Sequence, residues 1–201
     1  MSILHYFSKD PNKRAKFIFN FIAPIYNILV DDYTKAIEVL DDEIGVNGKT
    51  VLDIGTGTGA WAKMFEEKGA KQVTGLDFSN KMLKQSKNNH HNINFIEADA
   101  ENMSMIPDNS FDIVTASFVI HGVKIERREK ILLEMKRISK QYVVLNDFVG
   151  KTPIFVRFLE FMEKSDYKFF KKNICNELKQ LFSTTKKIDI EEIAGLYIAE
   201  I

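Results

Sequence analysis

Three glycines alternate in the turn that follows the first strand-like run of the chain. The run is Thr50–Ile54, the turn covers residues 55–59, and a helical segment follows from about Ala60 to Lys68. Alternating glycines let the backbone turn sharply and let a ligand lie against bare peptide groups beside a helix N-terminus. The spacing also satisfies the dinucleotide-loop pattern, so a nicotinamide or flavin ligand and a turn with no ligand both remain open here.

Asp53, just before the glycine turn, indicates which of these ligands is favoured. A carboxylate here would lie beside a pyrophosphate and repel it, which disfavours a dinucleotide. The same carboxylate favours a ligand that carries an ammonium group and no phosphate. S-adenosylmethionine is such a ligand, and S-adenosylhomocysteine would be the product after methyl transfer.

Two more carboxylates follow strand-like runs at positions that suit the rest of this ligand. Asp77 comes about twenty residues after the glycines, where an acidic residue can bind both ribose hydroxyls. Phe78 can lie against the adenine face, and Ser79 is predicted both as a helix N-cap and as an adenine contact. Asp99, with the Ala100 backbone beside it, is predicted to bind the adenine edge.

These residues need a scaffold, and the alternation of strand-like and helical segments supplies it. Short strands alternating with helices of this length predict an α/β fold with a Rossmann-like, seven-stranded, mainly parallel sheet and helices on both faces. Two strand-like pieces around Gly195 predict a terminal hairpin at the sheet edge, with an antiparallel C-terminal strand. The predicted strands are Thr50–Ile54, Gln72–Leu76, Asn94–Glu97, Phe111–Ala116, Tyr142–Leu145, Lys187–Ile190 and Leu196–Ala199, and the helices between them are Thr34–Glu43, Ala60–Lys68, Asn80–Asn88 and Glu126–Ser139.

In these motifs the chain resembles the class I S-adenosylmethionine-dependent methyltransferases, and within them the small-molecule branch that includes the ubiquinone/menaquinone C-methyltransferases. Residues 21–27 are similar to the helix that bears a Tyr-Asp pair in that branch, although Asn27 stands where the branch often has aspartate. The resemblance implies a small-molecule acceptor, methylated by in-line displacement. The motifs that match are Val51–Gly59, Gly75–Ser79 with Met82 and Leu83, Glu97–Ala100 and Pro107–Val114.

The predicted site therefore has a cofactor part and an acceptor part. His121 follows the fourth strand, where this family places acceptor contacts, and its reference pKa near neutrality suits a general base. A histidine simply packed at the strand end is the alternative. The predicted cofactor-binding residues are Tyr26, Asp53, Gly55, Thr56, Gly57, Gly59, Asp77, Phe78, Ser79, Met82, Asp99, Ala100 and Ser117.

Composition and charge limit the partners. Lys plus Arg and Asp plus Glu number 28 each, so the basic surplus typical of nucleic-acid binders is absent. Cys175 is the only cysteine, and the remaining histidines lack ligand spacing, which predicts no metal site. The apolar stretch 17–30 is too short and too interrupted to span a membrane, so a cytoplasmic enzyme is expected.

One domain is predicted over residues 1–201, with residues 1–48 as an N-terminal helical lid and residues 49–201 as the cofactor-binding sheet core. Two other functions remain open from the sequence. One is an NAD(P)-dependent oxidoreductase, which Asp53 and Asp99 disfavour. The other is a non-catalytic S-adenosylmethionine-binding module.

Overall fold

Seven strands form one sheet, and helices cover both of its faces. The computed structural model describes residues 33–150 and 167–201. Its strands are β1 (Thr50–Ile54), β2 (Gln72–Asp77), β3 (Asn94–Glu97), β4 (Phe111–Ser117), β5 (Ser139–Phe148), β6 (Thr184–Asp189) and β7 (Ala194–Glu200). Its helices are α1 (Thr34–Ile44), α2 (Ala60–Glu67), α3 (Asn80–Asn89), α4 (Ile125–Ile138) and α5 (Tyr167–Leu181), with a one-turn 3-10 helix at Ile120–Gly122.

The strand order is β3-β2-β1-β4-β5-β7-β6. Strands β1 to β5 pair in parallel, and β7 lies antiparallel between β5 and β6. The predicted mainly parallel sheet, the terminal hairpin and the antiparallel last strand are therefore confirmed. The order reverses between β1 and β4, and ligands of open parallel sheets generally bind outside the carboxyl ends of the strands at such a point.

The two sides of β1 belong to two different hydrophobic layers. Leu52 and Ile54 pack in one layer with side chains of α4 and α5, whereas Val51 packs in the other with side chains of α1 and α2. A strand that is buried on both sides has few polar positions, because each one needs a partner inside the protein. Asp53 occupies such a position, on the same side as Val51.

Two details of the sheet differ from the prediction. Strand β5 runs to Phe148 rather than ending at Leu145, because Asn146 and Asp147 are polar yet still pair with β7. Gly195 lies inside β7, not between the two terminal strands. A Cβ atom there would approach the Ile188 carbonyl oxygen to 2.8 Å, so this glycine permits close packing of the strands.

Several predictions fall on residues outside the described ranges. The lid segment before Tyr33, which includes Tyr26, is one of them. The sequence also predicts one or two helices over Pro153–Phe182, and residues 153–166 of that segment lie outside the described ranges. Helix α1 of the predicted lid is described and begins at the predicted residue, Thr34. Within 33–150 and 167–201, no helix has both the length and the apolar character needed to cross a membrane.

Candidate active site

The predicted site residues of the described ranges gather at the carboxyl edge of the sheet. Asp53 is the penultimate residue of β1, Asp77 ends β2, and Ser117 ends β4. The glycine loop follows β1, and the segment that bears His121 follows β4. The two segments therefore flank the point where the strand order reverses.

The glycine loop has a conformation that requires glycine. Gly55, Gly57 and Gly59 have φ angles of 68°, 54° and 85°, in the left-handed region that other residues rarely adopt. A Cβ atom on Gly55 would meet Val119 Cγ2 at 2.5 Å, because the two segments approach closely. A Cβ atom on Gly57 would come no closer than 3.9 Å to its neighbours. The loop is therefore packed at Gly55 and open at Gly57.

Asp77 holds the glycine loop and the start of α3 together. Its carboxylate accepts hydrogen bonds from the backbone N–H of Gly57 at 3.0 Å and of Ser79 at 2.7 Å. Ser79 occupies the N-cap position of α3, as predicted, and its side chain makes no capping hydrogen bond within the described residues. Phe78, which lies between Asp77 and Ser79 in the sequence, is 37% exposed at the carboxyl edge of the sheet.

Asp53 is a buried carboxylate, and neither of its oxygens has a hydrogen bond to any of the described residues. Burial, reinforced by the nearby charge of Asp77, raises the pKa of Asp53 from 3.8 to about 7. The Thr56 hydroxyl and the Ala62 backbone N–H lie close enough to favour the ionised form in part, although neither completes a hydrogen bond to the carboxylate. Buried polar groups almost always have a partner, so this carboxylate indicates a ligand position.

The features beside Asp53 fit S-adenosylmethionine. The Thr56 hydroxyl is also buried without a hydrogen bond. A buried carboxylate that lacks a cationic partner suits the ammonium group of the ligand, and the open side of Gly57 leaves room against the backbone. The donor set contains carboxylates and a hydroxyl rather than the cationic groups that a pyrophosphate favours.

The predicted adenine-edge residues lie on an exposed turn after β3. Asp99 is exposed, and its carboxylate accepts a hydrogen bond from the Glu101 backbone N–H at 3.0 Å. Ala100 and Met82 are half-buried. The Ala98 N–H donates to the Asp77 carbonyl at 3.2 Å, which brings this turn next to the end of β2.

The acceptor side contains a histidine–aspartate pair. The His121 ring Nδ1 lies 2.7 Å from Asp147 Oδ1, and the His121 backbone N–H donates to Asp147 Oδ2 at 3.2 Å. Both side chains are buried. An ionised Asp147 accepts the Nδ1–H, which selects the tautomer whose basic lone pair is on Nε2. Asp147 is not among the residues predicted from the sequence, because the apolar run of β5 ends at Leu145.

Aromatic rings surround this pair. Phe148 lies edge-on to His121 with ring centroids 4.7 Å apart, and Tyr167 lies 6.0 Å from His121. Phe118 packs against Phe148 at 4.9 Å and has a φ angle of 51°, a rare conformation for a bulky residue that often marks functional sites. Tyr33 joins the cluster through Phe118 at 6.5 Å. The cluster makes the surroundings of His121 apolar.

Ser86 on α3 and His90, the residue after α3, make two contacts with the glycine loop that are not apparent from the sequence. The Ser86 hydroxyl lies 2.6 Å from the Gly57 carbonyl oxygen, and His90 Nε2 lies 3.1 Å from the Thr58 carbonyl oxygen. The polar run Asn88–His91 is typical of an exposed loop, but His90 is half-buried against the glycine loop. Its neighbours Asn88, Asn89 and His91 are exposed, which explains why the local sequence gave no sign of this contact.

Trp61 packs on the sheet. It is buried, and its indole N–H donates to the Thr115 hydroxyl at 3.1 Å, which fixes α2 on β4. Among the described residues, no group of three or more His, Cys, Asp or Glu side chains is arranged to hold a metal ion.

Comparison with known proteins gives a consistent result. Residues 51–141 match a family model described as a methyltransferase domain. The demethylmenaquinone methyltransferase of Renibacterium salmoninarum is 36% identical over 138 residues, which cover 66% of this chain and 56% of the relative. The protein of the same name from Thermotoga maritima is 32% identical over 136 residues, covering 64% and 58%. The chain thus spans a little over half the length of these relatives.

Solved structures share the fold. A putative S-adenosylmethionine-dependent methyltransferase from Methanococcus maripaludis superposes with a TM-score of 0.68 at 19% identity, covering 96% of this chain and 94% of that one. Magnesium protoporphyrin IX methyltransferase from Synechocystis with bound S-adenosylhomocysteine gives 0.62 at 17% identity, covering 97% and 96%.

The fold is that of the Rossmann-like methyltransferases. Residues 51–141 match a methyltransferase domain. Within that class it is similar to the demethylmenaquinone methyltransferases over about two thirds of its length. The predicted family is confirmed, and the comparisons do not support the oxidoreductase alternative.

Proposed function

We propose that the chain binds S-adenosylmethionine across the carboxyl ends of β1, β2 and β4 and transfers its methyl group to a small-molecule acceptor. The observation that carries this proposal is Asp53, a buried carboxylate without a hydrogen bond, next to a glycine loop with open space at Gly57. An ammonium group placed there would supply the missing partner. The sequence similarity to methyltransferases of named activity supports the same reaction class.

Each remaining site residue has one task in this proposal. When bound, S-adenosylmethionine supplies an activated methyl group on a sulfonium, so the protein has to align the acceptor and exclude water. Asp77 binds the ribose hydroxyls, and Phe78 covers the adenine face. Asp99 and the Ala100 backbone bind the adenine edge. The other cofactor contacts are assigned to Tyr26, Thr56, Ser79, Met82 and Ser117.

On the acceptor side, we assign proton removal to His121, with Asp147 holding its ring. The pair is buried among aromatic rings, where a neutral imidazole with a fixed tautomer can accept a proton from an acceptor hydroxyl. The relatives are named for demethylmenaquinone, so a reduced naphthoquinone is the first acceptor to test.

Methyl transfer is tested directly by mass spectrometry with S-adenosylmethionine that carries a deuterated methyl group. The chain is incubated with reduced demethylmenaquinone and, separately, with a panel of phenols and small amines. We expect S-adenosylhomocysteine together with one acceptor that is heavier by the labelled methyl group. Binding of the cofactor without product from any acceptor would favour the non-catalytic binding module instead.

Replacement of Gly57 tests whether the open side of the loop is the cofactor position. Gly57→Ala should weaken S-adenosylmethionine binding by at least about tenfold, because the new methyl group occupies the ligand's space. Gly48→Ala is the matched control, since Gly48 also has a positive φ, 77°, and no atom within 4 Å of a Cβ. Both variants should lose about 1 kcal/mol of stability through backbone strain, as measured by thermal unfolding. Equal calorimetric affinities in the two variants would remove the cofactor from this position.

The lid is tested by hydrogen exchange. We propose that residues 1–30 close over the site with Tyr26 near the methionine end. Tyr33, the first described residue, packs on Trp61 and Phe118 beside the carboxyl edge, so the segment joins the fold at the site. A lid that must open for turnover should gain protection when cofactor binds. Equal exchange of residues 12–30 with and without S-adenosylmethionine would remove Tyr26 from the site.

A further inference from the structure

Two carbonyl groups of the glycine loop, those of Gly57 and Thr58, are contacted by side chains on α3 and at its C-terminal end. Ser86 is completely buried on α3, and its hydroxyl lies 2.6 Å from the Gly57 carbonyl oxygen. Its other acceptor is the Met82 carbonyl within α3, at 3.0 Å. A helical serine commonly bonds back to the carbonyl four residues earlier. Here the loop carbonyl is the closer of the two acceptors.

A second contact lies one residue further along the loop. His90 Nε2 lies within hydrogen-bond distance of the Thr58 carbonyl oxygen, and this contact requires the proton on Nε2. The ring is so close to the loop that a Cβ atom on Gly59 would meet His90 Cδ2 at 2.7 Å. His90 is the C-cap residue that follows α3, and its backbone N–H donates to the Ser86 carbonyl at 2.8 Å, so the two residues are held close together at the end of the helix.

These contacts fix the orientation of two peptide groups. The peptide bonds of the described residues are not cis, so the N–H of each peptide points away from its C=O. A Gly57 carbonyl directed at Ser86 therefore turns the Thr58 N–H to the side of the loop away from α3. At the same time the Gly57 N–H is held by Asp77. The Gly57 residue is thus fixed at both its N–H and its C=O.

We propose that Ser86 and His90 are positioning residues for the cofactor loop. They contact the loop's carbonyl groups from the side of α3, so the Thr58 N–H is turned to the opposite side of the loop before the ligand arrives. This inference rests on the proposed function, since the ligand is taken to be S-adenosylmethionine. Preorganised donors favour binding because the loop is already ordered.

The test compares two buried serines whose hydroxyls each donate to a backbone carbonyl. Ser86 contacts the glycine loop, and Ser139 lies at the start of β5, at the other end of the strands. Ser86→Ala removes the loop contact, and Ser139→Ala removes a buried hydroxyl contact to the Tyr142 carbonyl at 2.8 Å, at the start of β5. We expect similar small losses in thermal stability from both. Only Ser86→Ala should raise the calorimetric Kd of S-adenosylmethionine and of S-adenosylhomocysteine, by about tenfold.

His90→Phe extends the comparison, because it keeps an aromatic ring against Gly59 while removing the Nε2 donor. We expect a smaller rise in Kd than for Ser86→Ala, and a non-additive effect in the double variant, since both contacts hold one loop. Hydrogen exchange of residues 55–59 in the ligand-free protein provides a readout independent of binding. It should accelerate about tenfold in Ser86→Ala and stay unchanged in Ser139→Ala.

The outcomes separate this inference from the proposed function. If the wild-type chain binds S-adenosylmethionine and Ser86→Ala neither changes its Kd nor speeds loop exchange, the positioning role is overturned. If the wild-type chain does not bind the ligand, the proposed function fails. Exchange of residues 55–59 then decides whether Ser86 holds the loop.

Discussion

Asp53→Asn is expected to make the ligand-free protein more stable at pH 8 and to weaken S-adenosylmethionine binding on the order of a hundredfold. Burial raises the pKa of Asp53 to about 7, so at pH 8 the fold holds an ionised carboxylate without a hydrogen bond. A shift of this size corresponds to on the order of 4 kcal/mol of lost stability. The side-chain amide that the substitution buries offsets part of the gain, which leaves a net gain of about 1–2 kcal/mol, or about 2–8 °C in the unfolding midpoint.

The sign of the pH dependence follows from linkage. The folded-state pKa of Asp53 lies above its unfolded value of 3.8, so between these pH values the folded chain binds more protons. The contribution of Asp53 is therefore most favourable at low pH and is lost as the pH rises through about 7. The stability advantage of Asp53→Asn should accordingly be present at pH 8 and absent at pH 5, as measured by thermal unfolding without ligand.

Asp112→Asn is the matched control at the opposite end of the sheet. Burial alone would raise the pKa of Asp112, but hydrogen bonds from the Thr50 backbone N–H and hydroxyl, both at 2.8 Å, lower it overall. This variant should lose stability at pH 7 and keep the affinity for S-adenosylmethionine. If Asp53→Asn instead destabilised the ligand-free protein at pH 8, or bound the ligand as tightly as wild type, Asp53 would have no role in ligand binding.

Asp77→Ala should also weaken S-adenosylmethionine binding on the order of a hundredfold. A carboxylate that accepts two ribose hydroxyls contributes roughly 1.5–3 kcal/mol for each hydrogen bond. The same side chain accepts the N–H groups of Gly57 and Ser79, so its removal also loosens the loop. Calorimetry measures the combined effect, and an unchanged affinity in a folded variant would contradict the assignment.

A ligand analogue distinguishes the two effects of Asp77, which are binding of the ribose hydroxyls and holding of the glycine loop. Wild-type protein should bind S-adenosylhomocysteine at least about tenfold more tightly than its 2′-deoxy analogue, because the analogue lacks one ribose hydroxyl. In Asp77→Ala this difference should largely disappear. If the variant still distinguished the two ligands as wild type does, Asp77 would act only by holding the loop, and the ribose would bind elsewhere.

The sequence predicted the fold well because the central strands β1, β2 and β4 are buried on both sides. Runs such as Val51–Ile54 consist of apolar residues apart from Asp53, and glycines bound them clearly. The observed β1 has the predicted bounds. Prediction was weaker at β5, where the apolar run stops at Leu145 although the strand continues through two buried polar residues.

A site residue could be predicted only where its role is marked by a short sequence pattern around it. The glycine loop, Asp53 and Asp77 could be found because they follow strands at regular spacing. Asp147, Ser86 and His90 could not, since each acts through a contact with residues distant in sequence. The Ser86–Gly57 contact joins residues 29 apart, and the His121–Asp147 contact joins residues 26 apart. Such pairs are created by the packing of the fold.

The central claim is that the buried carboxylate at the glycine loop serves a cationic, phosphate-free ligand, and a calorimetric titration tests it most directly. The chain is titrated with S-adenosylmethionine and, in parallel, with NADH, at several pH values from 5 to 8. Saturable binding of S-adenosylmethionine is predicted, with a Kd that rises about tenfold for each pH unit below 7 as Asp53 becomes protonated, and no binding of NADH. Saturable binding of NADH, or no binding of S-adenosylmethionine at any pH, would contradict the claim.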